Sequence, residues 1–106
     1  MSEDKVDLSM NKMQTRADRI ILALEAALEP ERLEVVDESH LHAGHSGWRE
    51  GGETHYRIDV IATRFQGRSR VERHRMVNAA VAAEFDSGLH ALAIAAKTPE
   101  EAALAR

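Results

Sequence analysis

Thr54 to Thr63, THYRIDVIAT, alternates with a period of two. Tyr56, Ile58, Val60 and Ala62 fall on one side, and His55, Arg57 and Asp59 on the other. Only a β-strand puts every second residue on one face, so this stretch predicts a strand with one apolar side. The rest of the chain must supply its neighbours and its cover. Leu33 to Glu38, LEVVDE, is short and rich in β-branched residues, which predicts a strand pairing with it as an antiparallel hairpin. Downstream, Ser69-Arg70-Val71-Glu72 sets Ser at a helix N-cap and Glu three residues on. This capping box predicts a helix running to about Phe85, with Val77, Ala80, Val81 and Phe85 as its buried stripe and Arg70, Arg73 and His74 away from it. Gly88 follows where a helix end favours glycine. Leu89 to Ala96, LHALAIAA, then predicts a third strand. It should lie parallel to Thr54–Thr63, because a helical crossover separates the two.

The flanks complete the pattern. Ala17, Ile20, Ile21, Leu24 and Leu28 recur at helical spacing, and Pro30 should end that helix. Thr98-Pro99-Glu100-Glu101 opens a last short helix with N-cap, N1 proline and acidic N3 in place. Residues 1–12 are polar and lack a helical period, so they are expected to be a disordered lead-in to one domain spanning 13–106. The predicted order is α-β-β-α-β-α. This is an α+β two-layer domain, with a three-stranded mixed sheet covered by helices on one face.

The connection between the first two strands is far longer than the about two to five residues a hairpin needs. From Ser39 to Tyr56, SHLHAGHSGWREGGETHY, it carries His40, His42, His45 and His55, four of the six histidines in the chain. The H-x-H-x-x-H run can bind metal as a solvated histidine tract. The chain has no cysteine, so a dedicated zinc site is not expected, and any thiolate must come from a partner. His90, at a helix end, can equally serve as an imidazole cap on the last helix carbonyls. The net charge of −4 does not suggest a general nucleic-acid binder. From Arg64 to Arg75, however, five Arg stand against one Glu, a local charge of +4. Arg68, Arg70, Arg73, His74 and Arg75 are therefore the candidate residues for a partner or nucleic acid. There is no G-x-S-x-G motif, P-loop or cysteine nucleophile, and an enzyme is not expected. No apolar run approaches ~18 residues, which argues against a membrane span. The N-terminus has no apolar signal core and is acidic, which suits a cytoplasmic protein.

The runs VVDESHLHAGH, ETHYRI, RFQG, RHRMVNAAVAAEF, LHALAI and KTPEE, in this order, resemble the BolA-like proteins over about residues 15–102. That resemblance implies a fold similar to the type II KH domain, without the GxxG clamp that KH domains use on nucleic acid. It also implies partnership with a CGFS monothiol glutaredoxin and a shared [2Fe–2S] cluster. The partner would supply a cysteine and a glutathione thiolate, and this chain two further ligands. On this basis His90, in LHALAI, is one ligand and His42, in DES-x-x-HA, is the other. His55, in ETHY, matches a further family histidine and is an alternative to His42, and GHSGWREGG replaces the shorter, proline-bearing connector common in the family, which makes His45 and His40 competitors for the same role. A monomer alone and a heterodimer with the glutaredoxin are expected. Imidazole ligation raises a cluster's potential and makes binding sensitive to pH. Some bacterial members of the family are reported as DNA-binding regulators of cell shape and stress response, which the Arg64–Arg75 cluster keeps open here.

Overall fold

The computed structural model describes residues 15–42 and 52–104. His45, the lead-in and the side chain of His42 lie outside the described residues.

Helix α1, Arg16–Leu28, opens on a capping box in which Thr15 and Asp18 exchange side-chain and backbone hydrogen bonds. It buries Ile20, Leu24 and Leu28 and ends at Glu29, which turns left-handed (φ 47°) ahead of Pro30. Strand β1, Arg32–Asp37, leads into a 3₁₀ turn, Ser39–His42. Strand β2, His55–Ile61, is central. It pairs antiparallel with β1 and parallel with β3, Ala91–Lys97. The register stacks Leu33, Val60 and Ala96 in one row and Val35, Ile58 and Ile94 in the next. These rows face the helices. With Phe65, Val77, Val81 and Leu89 they complete the core. The short helix α4, Pro99–Leu104, starts with Thr98 and Glu101 bonded to each other's backbone N–H. Among the described residues the architecture is α+β, with a three-stranded mixed sheet and four helices, in the expected order except that the helix between β2 and β3 is split in two.

The helix expected to run to Phe85 is broken. Helix α2, Arg70–Ala80, carries the Ser69/Glu72 capping box, but Val81 leaves helical geometry (φ −111°, ψ 22°) and a separate turn, α3, spans Ala82–Asp86. The break re-aims the last turn. Glu84 points inward at 8% exposure, while Phe85, placed in the stripe by straight-helix spacing, is 37% exposed. Arg16 and Arg19 of α1 both reach the buried Glu84 carboxylate, at 3.1 and 2.9 Å.

Strand β3 begins two residues later than its apolar run suggests, so His90 stands just before it. The His90 ring approaches that of His55, the first residue of β2.

Candidate metal centre

Two histidines meet at the end of the sheet where β2 and β3 start. The rings of His55 and His90 lie 5.1 Å apart, centroid to centroid, inclined at 48°. His90 is exposed, whereas His55 is buried at 5% exposure. What brings them together is backbone pairing. The Thr54 carbonyl accepts from both His90 N–H, at 2.8 Å, and Ala91 N–H, at 3.1 Å. This fixes the start of β3 against the residue before His55.

Ser39 holds the other side. It is 2% exposed, and its Oγ accepts from Thr54 N–H at 3.0 Å and His55 N–H at 3.1 Å. Its own N–H donates to Asp37 Oδ1 at 2.8 Å, closing an Asx turn at the end of β1. Burial pushes the Asp37 carboxyl up. Hydrogen bonds from Ser39 and Glu53 outweigh this and hold it below its ordinary value. The 3₁₀ turn that ends at His42 is thereby fastened to the backbone of His55.

The His55 ring is oriented by Thr54, whose Oγ1 lies 2.9 Å from Nδ1. When Nδ1 carries the proton it donates to Thr54 Oγ1, and the Thr54 hydroxyl turns to Ser39 Oγ at 3.4 Å. In that tautomer Nε2 holds the lone pair that a metal requires, with an outer hydrogen bond of the kind that steers ligating histidines. The donor chemistry is consequently that of a half-site. Two imidazoles come together, no group of three or more potential metal ligands occurs among the described residues, and the sequence has no thiolate to add. Such a set fits a metal or cluster whose remaining ligands arrive on another molecule.

The basic cluster divides in two. Arg68, Arg70 and Arg75 are exposed and make no ion pair among the described residues. Arg73 is turned inward. It bonds Glu101 through two nitrogens, the Ala96 carbonyl at 3.1 Å and the Arg68 carbonyl at 3.0 Å, with its guanidinium 5.9 Å from the centre of the Phe65 ring. The Arg73 hydrogen bond is the main reason Glu101 is pulled down to about 2. His74 is half-buried and, with Arg70, Arg73, Ile94 and Lys97, lines a groove of about 500 Å³ beside β3. Arg64 pairs with Glu29 at the surface.

Sequence reasoning singled out His42, His55 and His90 but passed over Ser39, Thr54, Arg16, Glu53 and Glu84. The Asp37-x-Ser39 spacing was the available signal for the Asx turn. A cation at the first position of a capped helix, where it opposes the helix dipole, was the signal for Arg16.

The BolA-like protein family model matches residues 24–101. The chain is 46% identical over 91 residues to the SufE-like protein 1, chloroplastic/mitochondrial, of Arabidopsis thaliana, covering 82% of this chain and 24% of that protein. It is 49% identical over 78 residues to the human BolA-like protein 1, covering 74% of this chain and 54% of the human one. This chain thus spans a quarter to about half of these two relatives. The solved BolA domain of SufE1 from Arabidopsis thaliana superposes with a TM-score of 0.75 at 46% identity, over 83% of this chain and 96% of the domain. BolA1 from the same plant superposes with a TM-score of 0.74 at 39% identity, over 83% and 96%. Among the described residues no helix is long and apolar enough to cross a membrane. A sheet and helices of this order, a matched family model over most of the chain and relatives at this identity agree on one assignment: the chain belongs to the BolA-like protein family.

Proposed function

We propose that this protein is a non-enzymatic partner of a CGFS monothiol glutaredoxin and co-ligates a shared [2Fe–2S] cluster. The single observation that carries the proposal is the meeting of His55 and His90 at one rim, next to the turn that ends at His42, in a chain without cysteine. Two nitrogen donors are half of what a cluster iron and its neighbour need beyond sulfide. A glutaredoxin cysteine and a glutathione thiolate supply the complementary half. A relative in which a BolA domain is part of a SufE-like protein supports a role related to iron–sulfur chemistry.

His90 is the anchoring ligand and His42 the assigned second one, with His55 and His45 as alternative donors. The residues of this chain orient imidazoles, exclude water from His55 and leave the sulfur to the partner. The cluster, when bound, supplies one-electron redox chemistry and a transferable iron–sulfur unit. The test is to mix the purified protein with glutathione- and cluster-loaded glutaredoxin and follow visible absorption and circular dichroism. A new, stable chromophore is expected, lost in His90→Ala. An unchanged glutaredoxin spectrum on mixing overturns the proposal. A spectrum that survives His42→Ala but not His55→Ala or His45→Ala reassigns the second ligand.

A DNA-binding role keeps one observation in its favour. Arg68, Arg70 and Arg75 present three unpaired guanidinium groups around the start of α2. Phosphate contact by three cations requires log affinity to fall against log salt with a slope of roughly −2 to −3. A flat salt dependence removes that role, and a slope that drops in the Arg70→Ala variant supports it.

A further inference from the structure

Arg16 is the least expected buried group in the molecule. Its side chain is 10% exposed, and the hydrogen bonds of Arg16 go to two separate segments of the fold, Glu53 and Glu84–Ser87. Nε donates to Glu84 Oε1 at 3.1 Å. Nη1 donates to the Glu53 carbonyl at 2.6 Å, and the Arg16 backbone N–H donates to Glu53 Oε1 at 3.2 Å. Nη2 donates to the Ser87 carbonyl at 2.8 Å and to Ser87 Oγ at 3.3 Å. Glu53 stands two residues before His55, and Ser87 three before His90. The guanidinium therefore bridges the two chain segments that deliver the paired histidines.

Glu53 adds an independent sign. It is a non-glycine residue at φ 66°, in the left-handed region that disfavours a side chain. Such a conformation persists where surrounding bonds over-determine it, and these sites cluster at functional positions. Here Arg16 takes its carbonyl and carboxylate, while its N–H donates to Asp37 Oδ2 at 3.1 Å. The strained residue and its three fixed contacts lie directly before Thr54, whose carbonyl receives His90 and Ala91.

We infer that Arg16 is a positioning residue for the histidine half-site: it sets the spacing of the His55 and His90 segments, the first of which also carries the turn ending at His42, and thereby the affinity of the half-site for the partner-held metal centre. This inference rests on the ligation proposed above. A point charge alone cannot do this. Lysine keeps the attraction to Glu84 but has one nitrogen where arginine spans two carbonyls and a carboxylate in a fixed plane. Outer-shell groups that orient ligands typically alter metal affinity by roughly 10- to 100-fold when replaced.

The test uses the full chain with Arg16→Lys, Arg16→Ala and, as a surface control, Arg64→Lys. In the metal-free protein, proton NMR reads the cross-relaxation between the His55 and His90 rings. In the mixture with cluster-loaded glutaredoxin, titration reads affinity and visible circular dichroism reads ligation. Arg16→Lys is expected to fold, to weaken the ring-to-ring signal and to lower affinity by about 10-fold or more. Arg64→Lys should match the parent protein. A folded Arg16→Lys with the parent ring-to-ring signal and affinity overturns the inference. So does an Arg16→Lys variant that fails to fold, because Arg16 would then serve the fold and not the site. The ligation proposal fails separately, and visibly, if His90→Ala in the Arg16-containing protein leaves the mixed spectrum unchanged.

Discussion

Replacing Ser39 with alanine removes one hydroxyl and orphans two buried donors. Ser39 Oγ is the acceptor for both Thr54 N–H and His55 N–H, and Ser39 is 2% exposed. Each unsatisfied buried amide costs about 1–3 kcal/mol, so the two together set a loss of roughly 2–6 kcal/mol. The lower half of that range, about 2–4 kcal/mol, is expected, since the turn lies at an end of the sheet and can relax toward water. For a domain of this size that lowers Tm by at least about 8 °C. Ser69→Ala is the internal comparison. It also deletes a serine acceptor, but an exposed one that caps a single amide, Glu72 N–H, at a cost of about 1 kcal/mol. Urea unfolding of both variants measures the difference, and hydrogen exchange should show faster exchange at the Thr54 and His55 amides in Ser39→Ala alone. Equal losses for the two variants would refute the view that Ser39 is the fastening point of the histidine turn.

Two further outcomes follow from the broken helix and the outer ion pairs. Phe65→Ala, at a fully buried ring, should cost about 3–5 kcal/mol, while Phe85→Ala should cost well under half of that; comparable losses in thermal unfolding would contradict the break at Val81. Glu101 is held at about 2 in the fold against an ordinary 4.5, chiefly by Arg73, and Glu84 is lowered by its bonds to Arg19. The unfolded chain therefore binds more protons than the folded one below about pH 4.5. The stability from these groups is complete above that pH and is lost as pH falls toward about 2. Glu101→Gln should flatten this acid limb in urea titrations between pH 6 and 2, and an unchanged slope would show that the Arg73 pair does not reach solution.

The sheet was legible because its signals are local. The period-two alternation of Tyr56, Ile58 and Val60 needs only one strand to be seen, and each capping box, at Ser69 and at Thr98, lies within four residues. The order of strands followed from the crossover. What was not legible depends on residues far apart in the chain. Nothing near Phe85 shows that its neighbour Glu84 is buried against Arg16 and Arg19 while Phe85 itself is exposed. Arg73 reads as one more member of a basic run until Glu101 and the Ala96 carbonyl are brought beside it. The histidine site was half visible. His90 and the loop could be singled out, but the contact between His55 and His90 required knowing that Thr54 accepts the first two amides leading into β3.

The central claim is that imidazole nitrogen from this chain binds a cluster whose sulfur belongs to a partner. Pulsed electron paramagnetic resonance on the reduced cluster, formed by mixing this protein with cluster-loaded CGFS glutaredoxin and glutathione, tests it most directly. Histidine ligation predicts strong nitrogen couplings that disappear from the directly bound set in His90→Ala. A reduced cluster with sulfur ligation alone, identical with and without this protein, would contradict it.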